Sequence, residues 1–143
     1  MVHPNTILTA QPTTELMEKI QEYNPKNIHI PNGEIRKENI KEYCRHYEKM
    51  IADAGGIDLQ ILGIGNNGHI GFNEPGSGLH SKTRLTTLDN STRIANSFEF
   101  ANISEVPRLA ITMGISNIND AKKIILMAKE EHATQAMVVL LGL

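Results

Sequence analysis

Residues 62–76 read Leu62-Gly63-Ile64-Gly65-Asn66-Asn67-Gly68-His69-Ile70-Gly71-Phe72-Asn73-Glu74-Pro75-Gly76, directly after the apolar run Leu59-Gln60-Ile61-Leu62. The apolar run reads as a buried strand, and the glycines that follow permit sharp turns and close approach of backbone to a ligand. Loops at strand ends are where open α/β sheets keep their sites. This loop has neither the dinucleotide-binding glycine spacing nor the Lys-Ser/Thr of a P-loop. It offers instead a histidine, His69, and a carboxylate, Glu74, whose backbone Pro75 biases toward an extended form. A histidine oriented by a carboxylate keeps one tautomer and can move protons near neutral pH, so the loop points to proton transfer on a small polar substrate.

The rest of the chain supplies strands and helices in alternation. A helix is expected from about Thr14 to Tyr23, ended by Pro25, followed by a strand-like Ile28-His29-Ile30 stopped at Pro31-Asn32-Gly33. A longer helix is expected over residues 37–54, where Ile40, Tyr43, Cys44, Tyr47, Met50, Ile51 and Ala54 fall on one face before Gly55-Gly56. After the loop come strands over 83–88, 109–113 and 124–128, short helices over 91–100 and 117–122, and a helix over 130–140. The pattern predicts a single α/β domain over residues 1–143, with a mainly parallel, Rossmann-like sheet flanked by helices in three layers. The apolar run Val138–Leu143 and the abrupt start lead us to expect part of a larger domain.

Composition narrows the function. With 143 residues, 40 % hydrophobic content, 21 % charged content and a formal net charge of −2, the chain lacks the basic surface of a nucleic-acid binder and any basic membrane helix. No apolar run approaches membrane-spanning length and no signal peptide is visible, so a cytoplasmic location is expected. Cys44 is the single cysteine; on the helix stripe it reads as packing rather than as a nucleophile. His3, His29, His46, His80 and His132 show no metal-ligand spacing and read as surface or locally satisfied, so no metal is expected.

The segment 62–76 resembles the signature of the glucosamine-6-phosphate deaminase (isomerase) family. The resemblance extends through Thr83–Leu88, Thr92-Arg93, Val106–Gly114 and Ile125–Ala128. It implies conversion of an amino-sugar phosphate, glucosamine 6-phosphate, with water into fructose 6-phosphate and ammonia. His69 would handle the ring-oxygen proton, Glu74 would orient and charge-couple His69, and Gly65 and Gly68 would bring backbone amides near the sugar. Asn67 stands where many relatives have an Asp that assists ring opening; an amide cannot ionise, so Asn67 has no acid–base role. Ser77 and Arg84 are further candidates for substrate contact, and Ser81 follows the signature as well.

The same resemblance places two parts of the family's machinery upstream of the matched region: the Asp base for the C2-to-C1 proton transfer, in an Asp-Glu-Tyr motif, and a Thr-Gly-rich phosphate loop. This chain has no Asp before Asp53. Phe98 stands where relatives carry a phosphate-binding Arg, and Ala133 where they carry a Lys, with Lys129 a turn earlier. Of an Arg–Lys pair linked to allosteric activation, Arg84 remains and Thr86 replaces its partner. The expectation is a ring-opening half-site with little or no turnover alone, with a homo-oligomer or a complementing chain as the expected protein partner. The alternatives are a non-catalytic sugar-phosphate binding module and a 6-phosphogluconolactonase-like hydrolase, which needs no C2 base.

Overall fold

Helix α1 (Ile40–Asp53) is the longest element of the computed structural model, which describes residues 25–128. It is preceded by a 3₁₀ turn at Lys37–Asn39, so the expected helix is present with its first turn wound more tightly. Gly55 and Gly56 stop it with φ of 90° and 86°, a conformation that side chains resist. Its buried face is narrower than the apolar stripe suggested: Ile40 and Cys44 pack against Ile111, and Ile35, Tyr43 and Leu85 border them. Burial, and then the negative charge of Glu48, raises the Cys44 thiol above its ordinary value, which keeps it protonated and suits a packing role.

The partner of α1 is an antiparallel pair, β2 (Arg84–Thr87) and β3 (Leu109–Thr112), in register Arg84↔Thr112 through Thr87↔Leu109. The second pair is parallel: β1 (Gln60–Gly63) beside β4 (Ile124–Met127), with Gln60 opposite Ile124. Parallel neighbours so far apart in sequence require a crossover, as in α/β folds. The strand expected at 59–62 is present but mostly uncovered. Leu62 is buried, whereas Leu59, Ile61, Ile125 and Met127 are each about half exposed, because no described element lies over that face.

Two short helices complete the described part. Helix α2 (Asn90–Ala95) has Asp89 as its N-cap, the carboxylate accepting from Ser91 N. The expected helix over 91–100 breaks at Asn96, whose amide donates to the Thr92 carbonyl, and a separate 3₁₀ turn follows at Ser97–Glu99. Helix α3 (Ile115–Asn119) begins two residues earlier than expected. Ser81 supplies acceptors to its first turn, the hydroxyl to Ile115 N at 3.0 Å and the carbonyl to Ser116 N at 3.1 Å.

Ile28-His29-Ile30 is not a strand. Pro31 removes a ladder donor, and tyrosines of α1 hold the segment instead: Tyr47 OH donates to His29 O at 3.0 Å, and Asn32 N donates to Tyr43 OH at 2.7 Å. The helices expected over 14–23 and 130–140, the run 138–143, Lys129 and Ala133 lie outside the described residues.

Gly114 marks the tightest backbone contact. A Cβ there would stand 2.1 Å from Ser81 O and 2.6 Å from Lys82 N, both backbone atoms that cannot swing aside. Gly114→Ala is expected to cost roughly 1–3 kcal/mol, the usual range for overpacking. Chemical denaturation of the variant against the parent chain checks this.

Candidate active site

Strand β1 delivers the chain into the glycine loop, and three glycines turn it. Gly68, Gly71 and Gly76 have φ of 88°, 59° and 86°, so the loop folds back on itself through bridges of Ile70 to Ile64 and to Asn73. Gly65 acts by size rather than by conformation. A Cβ on it would lie 2.0–2.4 Å from the Cε1, Nδ1 and Nε2 atoms of His69, so the imidazole rests directly against this backbone.

The amides of Gly65 and Gly68 are already engaged. Gly65 N donates to His69 O and Gly68 N donates to Gly65 O, each at 2.9 Å. The loop's own closure uses both donors, and the two glycines seat the ring and turn the chain.

The two carboxylate–histidine partners are linked through Asn67. Glu74 Oε2 accepts from Asn67 Nδ2 at 2.8 Å, and Asn67 Oδ1 lies 2.7 Å from His69 Nδ1 while also accepting from His69 N at 3.1 Å. A carboxylate only accepts, so it fixes which end of the amide carries nitrogen. The carbonyl end then faces Nδ1, which must hold the proton. Nε2, left with its lone pair, has no hydrogen-bond partner among the described residues. Glu74 thus reaches His69 through Asn67, which cannot ionise but sets the tautomer.

Helix α2 braces this relay at three successive points. Glu74 Oε1 accepts from Asp89 N at 2.9 Å, Asn67 Nδ2 lies 3.4 Å from Ser91 Oγ, and Thr92 Oγ1 stands 3.2 Å from His69 Nδ1. None of these helix residues stands out in the sequence as chemistry. The only signal was that Thr92-Arg93 belongs to the family-like pattern, with no role attached.

Ser77 and Arg84 form a second cluster, centred on buried Asn73. Arg84 Nη1 donates to Asn73 Oδ1 at 2.9 Å and Nη2 to Ser77 Oγ at 3.3 Å. The Asn73 amide donates to Ile70 O and Met113 O at 3.0 and 2.7 Å. This network pins the loop to the end of β3, and none of its hydrogen bonds reaches His69. Arg84 and Ser77 are therefore engaged with each other and the loop. Ser81 Oγ, occupied by Ile115 N, is a helix cap.

Burial lowers the His69 pKa below its ordinary value of 6.5, and the nearby negative charge of Glu74 offsets part of that effect. The imidazole is neutral at physiological pH and suited to accept a proton at Nε2. No group of three or more His, Cys, Asp or Glu among the described residues could hold a metal ion. No described helix is long and apolar enough to cross a membrane.

A lowered pKa fixes the sign of one pH effect. The unfolded chain binds a proton at His69 more readily than the folded chain does. The stability that this group contributes is complete above the unfolded value of 6.5 and is lost as pH falls through the lower folded value. Thermal denaturation between about pH 7 and about pH 5 should therefore show a smaller acid-induced loss in His69→Gln than in the parent chain.

A family model described as glucosamine-6-phosphate isomerases/6-phosphogluconolactonase matches residues 8–141. Glucosamine-6-phosphate deaminases of Thermoanaerobacter sp. (strain X514) and Shouchella clausii (strain KSM-K16) are 53 % and 51 % identical over 112 and 111 residues. Each alignment covers 78 % of this chain and 44 % of the relative. The solved structure of a monomeric glucosamine-6-phosphate deaminase superposes with a TM-score of 0.76 at 42 % identity, covering 83 % of this chain and 48 % of that one. The chain thus spans a little under half the length of these relatives, and its α/β fold is incomplete against theirs. On the match over 8–141, the chain belongs to the glucosamine-6-phosphate isomerase/6-phosphogluconolactonase family.

Proposed function

We propose that this chain carries the ring-opening half of a glucosamine-6-phosphate deaminase site, with His69 as the proton carrier. One observation supports the reading above the others. Asn67 and Glu74 hold the His69 proton on Nδ1, leaving Nε2 neutral, basic and without a hydrogen-bond partner among the described residues.

Opening a cyclic amino sugar requires a proton to leave the anomeric hydroxyl and a proton to reach the ring oxygen as the C1–O5 bond breaks. A single imidazole nitrogen can perform both transfers in sequence, first as base and then as acid. Glu74, acting through Asn67, steadies the imidazolium formed between them. The reaction needs no metal or organic cofactor at these steps.

The later steps need a carboxylate base at C2 and donors for the phosphate. The family resemblance puts both upstream of the matched segment, so complete deamination is expected only when those residues are supplied. They would come from a longer form of the chain or from a complementing chain. The substrate is a small amino-sugar phosphate and the setting cytoplasmic; nucleic acid and membrane have no place in this reading.

Exchange between the α and β anomers of glucosamine 6-phosphate passes through the open chain, so it isolates ring opening from deamination. Purified chain should accelerate this exchange on the order of a hundredfold, the lower range for general acid–base catalysis. His69→Ala should return it to background, with magnetisation-transfer NMR as the readout. A folded chain that leaves exchange at background overturns the reading. His69-dependent hydrolysis of 6-phosphogluconolactone in its place would favour the lactonase branch of the family, which the matching family model also covers.

A further inference from the structure

We propose that Thr92 is a positioning residue for His69, its hydroxyl oxygen acting with Asn67 Oδ1 as a second acceptor for the Nδ1 proton. Thr92 is 1 % exposed, and its Oγ1 stands 3.2 Å from Nδ1 while Asn67 Oδ1 stands at 2.7 Å. Because Glu74 orients the Asn67 amide, Nδ1 carries hydrogen, and Thr92 must present a lone pair to it and direct its own hydrogen elsewhere. The ring N–H is thus shared between one strong acceptor from the loop and one weaker acceptor from α2.

The ring is confined as well as bonded. Gly65 closes one side at a distance that admits no Cβ, and Thr92 approaches from α2. A neutral imidazole could in principle turn over about its Cβ–Cγ bond and put Cδ2 where Nδ1 stands. Here a turned ring would place a carbon against both oxygens and lose both acceptors. Thr92 therefore adds to the preference for one ring orientation and stabilises the imidazolium, whose Nδ1–H is the stronger donor. The carboxylates of the same ladder are Glu74, bonded to Asn67 Nδ2 and Asp89 N, and Asp89, bonded to Ser91. Neither hydrogen-bonds the imidazole, so the hydroxyl and the amide oxygen are its immediate acceptors.

The role in catalysis rests on the proposed reading of His69 as proton carrier, but the test does not require activity. Two-bond ¹H–¹⁵N spectra of the full chain report the tautomer and the titration of His69 directly. The parent chain should show the Nδ1–H tautomer at neutral pH; an Nε2–H tautomer, with Nδ1 accepting from Thr92, overturns the proposal with no variant needed. Thr92→Val keeps the shape and removes the acceptor. It should shift the His69 protonation equilibrium roughly fivefold toward the neutral form, the worth of about one net hydrogen bond. Thr92→Ser should restore the parent titration, which a purely steric role would not predict. Titrations of Thr92→Val and the parent that coincide, or a Thr92→Ser titration that matches Thr92→Val, also overturn it. If anomer exchange is catalysed, Thr92→Val should lower its maximal rate and leave substrate affinity unchanged.

Discussion

The contact between Glu74 and the Asn67 amide, 2.8 Å long and seven residues apart in sequence, governs the site. It decides which end of the amide faces the ring, hence which imidazole nitrogen holds the proton, hence which one is offered to a ligand. A direct Glu74–His69 ion pair would favour the charged ring. An intervening neutral amide keeps the orientation and passes on only part of the charge, so burial wins and the ring stays neutral. The arrangement suits a base that must hold its proton briefly and then release it.

Everything around that contact keeps the loop closed. Three glycines at positive φ fold the chain back, Gly65 makes room for the ring, and Asn73 ties the loop to β3 and Arg84. Helix α2 is only six residues long, too short to be stable alone. Its N-terminal contacts with Glu74, Asn67 and His69 hold it against the loop, while Arg93 fastens it to the Ile103 and Val106 carbonyls. Loop and helix therefore support each other, and loss of either would be felt at the imidazole.

Local signals carried much of this in the sequence. Helix α1 was legible because a long apolar stripe ends in two glycines, and β3 and β4 because compact apolar runs sit between turn residues. The parallel pairing of β1 with β4 follows from the α/β pattern, whereas the antiparallel β2–β3 pair depends on long-range register that a weakly alternating Arg84–Thr87 does not reveal. Ile28-His29-Ile30 looked like a strand because period alone cannot show that tyrosines, rather than a neighbouring strand, satisfy its backbone.

At the site, His69, Glu74 and Asn67 stand together in one loop and could be read directly. Thr92 and Ser91 could not, since a serine or threonine at a helix start is usually an end cap and only the fold brings them to the ring. That closing the loop uses the amides of Gly65 and Gly68 is likewise invisible in the sequence.

The strand that feeds the site and its neighbour β4 leave Ile61, Ile125 and Met127 half exposed on one face. This agrees with a chain that matches less than half the length of its relatives. The Glu74–Asn67–His69–Thr92 network is nonetheless assembled within residues 62–92, which is why the proposed reading separates ring opening from the rest of the reaction. The most direct measurement is ¹⁵N NMR of His69 as glucosamine 6-phosphate is added to the folded chain. The account predicts that the Nε2 resonance moves on saturation while Nδ1 stays protonated and nearly unshifted. A ligand that perturbs Nδ1 and leaves Nε2 unchanged would contradict it.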